Sequence, residues 1–275
     1  MKNEFRIFPD IRLICDDIPK TGSQDIFEIS CCLRGVCEYR TESGYIYLSK
    51  GNCIIMKQGL YSECVTARSA NCRTVTLIIE SGTHNSMTNE LIGTSDFLHQ
   101  LRYNKAYIFR HEKITEILSE LYNGCVNDQT SVLKIKTLEL FMLLNEYRFK
   151  YSSKDEKIKN VGKFICKHLS EHYTISQLSE MFEIDGTTLK NLFRKVHGCP
   201  VYNYAKNRKM FRAAELLRTA DMKIIDISEE VGYSNASKFS SAFRDVMGVN
   251  PKYYQMEHNL SRKKANSGIL QNPAY

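Results

Sequence analysis

Phe-Arg-Lys-Val-His-Gly occupies residues 193–198, and Phe-Arg-Asp-Val-Met-Gly occupies 243–248. This repeat is the strongest constraint on the fold, because it demands two similar units in series. Aligned on Phe193 and Phe243, Leu189 meets Phe239, Arg194 meets Arg244, Val196 meets Val246 and Gly198 meets Gly248. Each copy reads as a short helix, a tight turn and a second helix closed by glycine, the plan of a helix-turn-helix.

The residues around the repeat suit that plan. Ser179 and Ser228 are small side chains where the two helices of each unit would cross. Gly232 suits a left-handed turn. Thr174, Asp185 and Ser234 stand where side-chain oxygens would cap helices. Leu189, Leu192 and Phe193, with Phe239, Ala242 and Phe243, fall on the face expected to be core. The opposite face carries Thr187, Thr188, Lys190, Asn191 and Arg194 in the first unit, and Ser237, Lys238, Ser241 and Arg244 in the second. Hydrogen-bonding and cationic side chains on an exposed second helix are what meets base edges and phosphates in a major groove. The stretch between the units predicts a helix of about 18–20 residues, roughly 30 Å at ~1.5 Å per residue. One turn of B-DNA is about 34 Å, so such a rod would set two recognition helices into successive major grooves. Arg208, Lys209 and Arg212 on this rod face either phosphates or solvent.

The charge distribution agrees. Residues 1–154 hold 19 Lys and Arg against 18 Asp and Glu, whereas residues 155–275 hold 19 against 13, so +6 of the net charge of +7 belongs to the C-terminal half. A basic excess there favours a polyanionic partner.

The N-terminal half has a different pattern. Residues 26–79 are rich in Ile, Val, Tyr, Thr and Cys and are cut by glycines, as in a sandwich or small barrel of short strands, with a hairpin turn at Glu42-Ser43-Gly44-Tyr45. From residue 112 helical spacing takes over: Ile114, Ile117, Leu118 and Leu121, then Leu133, Leu138, Phe141 and Leu144. A polar break at 150–157 divides a domain over 1–150 from an all-helical domain over 158–256, in which 158–173 reads as one helix. Residues 257–275 lack periodicity and read as a disordered tail.

The ten cysteines include no C-x-x-C pair. They read as free thiols packed like small apolar residues, with no metal site. No apolar run approaches the ~18 residues of a membrane span, and no signal peptide is visible at the N-terminus, so the expected location is the cytoplasm, at the nucleoid.

The residues of the C-terminal half resemble the AraC/XylS family of bacterial transcription regulators. The similarity covers 158–256 and is densest over 224–254, Ile-Ile-Asp-Ile-Ser-Glu-Glu-Val-Gly-Tyr onward to Asn250-Pro251-Lys252-Tyr253-Tyr254. Residues 209–217 resemble the family's linker helix, with Lys209 where arginine is usual. Ser241 stands where many members carry arginine, and Lys238 where many carry an aromatic. Residues 27–59 resemble the family's sensor domain, with Gly51-Asn52 for the usual Gly-Asp turn. The resemblance implies an α+β chain: an N-terminal cupin-like β-barrel with a helical pair, then an all-α domain with two helix-turn-helix units. It implies a transcription factor, more often an activator, whose partners are double-stranded promoter DNA and RNA polymerase. It leaves open a small-molecule effector, anchored for instance by one of Arg34, Arg40, Lys50, Lys57, Arg68 or Arg73, and a homodimer formed through the helices near 112–147. It implies no cofactor, no membrane and no enzyme. Metal-dependent cupin enzymes need nearby histidines, and the first in this chain is His84.

Two other functions compete. An anti-regulator would dimerise through the N-terminal domain without reading DNA selectively, and the departures at Lys238 and Ser241 suggest it. A DNA-repair methyl acceptor would need a Pro-Cys-His motif or clustered cysteine ligands, and the sequence shows neither.

Overall fold

The computed structural model describes residues 3–17, 26–41, 44–57, 67–80, 106–147, 155–220 and 222–259. Strands β1 (Glu4–Phe8), β2 (Ile11–Cys15), β3 (Ile26–Arg34), β6 (Cys53–Lys57), β8 (Arg73–Glu80) and β9 (Tyr107–Phe109) form one sheet, ordered β1-β2-β8-β3-β6-β9. Strands β5 (Gly44–Ser49), β4 (Val36–Thr41) and β7 (Ala67–Arg68) form a second. The described pairings are antiparallel. The hairpin β1–β2 and strand β9 lie outside the expected strand region. The expected turn at 42–45 lies partly outside the described residues, though Thr41 pairs with Gly44 across it.

Side chains on a strand alternate between its faces, and this separates two cores. Ile29, Cys31, Cys53, Ile55, Val75 and Leu77 pack with α1 (Glu112–Val126) and α2 (Thr130–Glu146). Their neighbours Cys32, Ile54 and Met56 point the other way, onto Cys37, Tyr39, Ile46 and Leu48 of the small sheet. The large sheet is thus covered on both faces, which is why its strands read as near-continuous apolar runs. On α1 the expected positions are all buried. On α2, Leu140 is buried and the expected Leu138 only partly so, while Ile135 and Met142 stand 63% and 71% exposed.

The helical half comprises α3 (Asp155–Lys167), α4 (Ile175–Phe182), α5 (Gly186–His197), α6 (Val201–Thr219), α7 (Ile224–Glu230), α8 (Ala236–Met247) and a last helix over 251–259. Most of the expected break at 150–157 lies outside the described residues. The helix expected over 158–173 ends at Lys167, and the chain turns at 168–170 before Thr174 opens the next helix. Residues 257–259 of the expected tail are helical; the remainder lies outside the described residues.

The two halves pack directly on one another. Tyr45 and Tyr47 of β5 face away from Ile46 and Leu48, toward the helices. Tyr47 is fully buried, with Tyr204 edge-on at 5.4 Å and Phe211 stacked at 5.8 Å. Its hydroxyl donates to Glu38 Oε2 at 2.6 Å, and Arg208 donates to the same oxygen at 3.2 Å. His197 ends α5 inside this seam: its Nδ1 donates to the Tyr45 carbonyl at 2.8 Å, and its ring lies 4.7 Å from that of Tyr204.

The described cysteines are free thiols, all buried except Cys166, which is partly exposed. The sulfurs of Cys32, Cys37 and Cys72, scattered in sequence, lie within 4.8 Å of one another.

Burial depresses the pKa of His197 to about 4, against an ordinary value of about 6.5. The folded protein therefore keeps this imidazole neutral, while the unfolded chain protonates it near pH 6.5. Its contribution is complete above about pH 6.5 and is lost as pH falls toward 4, by about 3 kcal/mol in all. Urea unfolding at pH 7.5, 6 and 5 should show this loss, and His197→Asn should flatten that part of the slope.

Candidate nucleic-acid interface

Helices α4 and α5 form the first helix-turn-helix, and α7 and α8 the second. A capping box opens α4: Thr174 Oγ1 accepts from the Gln177 amide at 3.2 Å, and Gln177 Oε1 accepts from the Thr174 amide at 2.9 Å. Asp185 caps α5 as expected, its Oδ1 accepting from the Thr187 amide at 2.9 Å and the Thr188 amide at 3.2 Å. The expected cap at Ser234 is displaced by one residue. Asn235 Oδ1 accepts from the Lys238 amide at 2.9 Å, because α8 starts at Ala236. Gly232 adopts φ +78°, the left-handed turn expected of it.

Leu189, Phe193, Phe239 and Phe243 are fully buried, Ala242 is buried and Leu192 is packed at the edge. That leaves the opposite rows outward. Thr187, Lys190, Asn191 and Arg194 are exposed on α5, with Thr188 partly so. Ser237, Lys238, Ser241 and Arg244 are exposed on α8, where Ser237, Ser241 and Arg244 border a recess of about 390 Å³. Each row starts at the capped N-terminal end of its helix.

The cations of α6 behave otherwise. Arg208 is turned inward: its side chain is 13% exposed, it pairs with Glu38, and its guanidinium lies 4.1 Å from the centre of the Tyr45 ring. In this arrangement it faces Glu38 rather than either of the expected surroundings, phosphate or solvent. Lys209 is half-buried, 5.6 Å from the Tyr233 ring centre, and lines a recess of about 490 Å³ between the end of α3 and the turn of the second unit. Burial lowers its pKa. Arg212 pairs with Glu215 at 2.9 Å on the surface.

The contacts that sequence reasoning missed lie at the other end of the recognition helices. The glycine that closes each repeat is left-handed, Gly198 at φ +79° and Gly248 at φ +82°, and each is pressed against the sheet domain. A Cβ on Gly198 would strike the Tyr47 carbonyl, and one on Gly248 would lie 2.6 Å from Asn71 Cγ. Asn52 Nδ2 donates to the Gly198 carbonyl at 2.8 Å, and the Ala70 amide donates to the Met247 carbonyl at 2.8 Å. The available signal was Tyr45-Ile46-Tyr47: an alternating strand with large apolar residues on both faces needs a second surface to pack on.

Residues 178–257 match the model of a family described as a helix-turn-helix domain. The HTH-type transcriptional regulator ExsA of Pseudomonas aeruginosa is 30% identical over 109 residues, covering 40% of this chain and 39% of ExsA. The chain thus spans about two fifths of that relative's length. The virulence regulon transcriptional activator VirF of Yersinia enterocolitica is 25% identical over 238 residues, covering 80% of this chain and 85% of VirF. Among solved structures, the C-terminal domain of AraT, a response regulator from Geobacillus stearothermophilus, is 28% identical, covering 38% of this chain and 88% of that one, with a TM-score of 0.36.

The two caps can be weighed by substitution. Asp185→Ala and Asn235→Ala should each cost about 0.5–2 kcal/mol of stability in urea unfolding. Ser234→Ala should stay within about 0.5 kcal/mol of the parent.

Proposed function

We propose that residues 178–257, which match a helix-turn-helix domain family, are of the AraC type, and that the whole protein is a sequence-specific DNA-binding transcription regulator that activates its promoters. One observation carries this reading. Helices α5 and α8 present equivalent capped, outward rows that end in Arg194 and Arg244, on buried faces that hold them in place. The rows would enter successive major grooves, with α6, 19 residues and so roughly 29 Å long, as the rod between them. Thr187, Thr188, Lys190, Asn191, Arg194, Ser237, Lys238, Ser241 and Arg244 are the proposed DNA contacts. Arg212 and Lys209 are proposed at phosphates, joined by Arg208 only once Glu38 releases it.

Activation is supported by the relative named as an activator. In this reading residues 1–150 are a cupin-like sensor domain and residues 158–256 the DNA-binding domain. The exposed Ile135 and Met142 of α2 offer an apolar strip through which two chains would pair. RNA polymerase is the proposed protein partner, a small molecule the proposed effector, and the cytoplasm the site of action. No helix among the described residues is long and apolar enough to cross a membrane.

Gel shifts on the chain's own upstream DNA test this. Binding should be selective over random duplex and should weaken steeply with salt. Arg194→Ala and Arg244→Ala should each cost about 1–3 kcal/mol of affinity if the arginine reads guanine. Lys190→Ala should instead lower the salt slope by about 1. Equal affinity for random duplex would overturn the proposal in favour of a dimerising anti-regulator.

A further inference from the structure

Three sulfurs converge between the two sheets. Cys32 lies near the end of β3, where the register with β8 shifts. Cys37 lies on β4. Cys72 follows a tight turn in which its amide donates to the Ser69 carbonyl at 3.0 Å. Cys37 Sγ and Cys72 Sγ are 3.1 Å apart, and all three sulfurs fit within 4.8 Å. Their residues are 0%, 1% and 8% exposed. The walls are apolar: Tyr39, Ile46, Leu48, Ile54 and Met56. Arg68 pairs in register with Cys37, and its Nε is buried without a hydrogen-bond partner.

Three buried sulfurs closing on one another inside an apolar shell have the donor set of a soft cation. Zinc sites of the structural kind take four ligands in a tetrahedron, and the metal-ligating side chains grouped here, among the described residues, are three cysteines without histidine or carboxylate. A small set of sulfur donors in an apolar shell selects monovalent copper instead. On binding, a thiol that becomes a thiolate ligand gives its proton to solvent. Two thiolates and one thiol on Cu(I) leave a net single negative charge, opposite the guanidinium of Arg68.

The site is mechanically connected to the reading helices. Cys72 ends the turn 69–72, whose Ala70 amide holds the Met247 carbonyl and whose Asn71 packs on Gly248 at the end of α8. We propose that Cys32, Cys37 and Cys72 form a binding site for a monovalent copper ion, and that this ion is the effector of the N-terminal domain. The second half of this proposal rests on the regulator reading above; the first does not.

The test uses the full-length reduced protein, titrated anaerobically with Cu(I) against bathocuproine disulfonate. The wild type should hold one equivalent, with a first shell of three sulfurs in copper K-edge absorption. Cys37→Ser and Cys72→Ser should each weaken retention by more than the roughly 10–100-fold that loss of an outer-shell group costs. Cys125→Ala, in the other core, should not. Because a serine variant can misfold, alkylation of the folded wild type adds a second readout: copper should protect these three thiols, mapped by mass spectrometry. One equivalent of copper should also change affinity for the upstream DNA by about tenfold or more. Copper held equally by both serine variants, copper ceded to the competitor while Zn(II) or trivalent arsenic is kept, or a Cys37–Cys72 disulfide as the sole product would overturn the site. Copper bound at the site with DNA affinity unchanged would overturn its role as effector. Copper bound as expected by a protein that never selects its upstream DNA would sustain the site and sink the regulator reading.

Discussion

The strand-rich and helical halves of this molecule meet at the outer face of β5. Strand geometry sends Ile46 and Leu48 toward the large sheet, and therefore must send Tyr45 and Tyr47 the opposite way. Two tyrosines on that face would expose a large apolar patch unless something covered them, and the helical half does. Tyr47 is buried against Tyr204 and Phe211, so its phenol needs an internal acceptor, which Glu38 supplies. Glu38 is itself buried and needs a cation, which Arg208 supplies. A buried ion pair of this kind brings little net stability, but losing either member strands a charge, so the pair works as a register pin between the halves.

The closeness of the two halves also bears on the glycine that ends each repeat. The closing glycine permits the left-handed cap of its helix. It also lets the sheet domain approach within contact distance, Tyr47 at Gly198 and Asn71 at Gly248. The sheet domain thus holds both recognition helices by their C-terminal ends and leaves their N-terminal rows free. A shift of β5 or of the turn 69–72 acts on the helices through the Ala70–Met247 main-chain bond and through the packed side chains of Tyr47, Asn52, Asn71 and His197. Two sites coupled in this way can exchange free energy provided a ligand prefers one arrangement of the seam.

The parts of the site that were legible in the sequence are the local ones. Asp185 and Thr174 cap because an oxygen one side-chain length from free amides needs no tertiary help. The outward rows follow from helical periodicity once Leu189, Phe193, Phe239 and Phe243 are assigned to the core. Ser234 was misplaced by one residue because Ser and Asn are equally good caps, and the turn geometry chose Asn235. Arg208 was misread because a cation on a helix looks the same in sequence whether it faces solvent or a buried carboxylate 170 residues away.

The chain by itself determined the helix-turn-helix repeat, the caps at Thr174 and Asp185, the division into a strand-rich and a helical half, and the basic balance of the latter. Each depends on neighbours within a few residues or on summed composition, and both survive without knowledge of contacts. Tertiary structure alone decided which face of β5 meets the helices, that Glu38 claims Arg208, that His197 is neutral inside the seam, and that Cys32, Cys37 and Cys72 converge. The reason is that strand pairing joins residues dozens apart, and no periodicity in a single chain records which strand lies next to which.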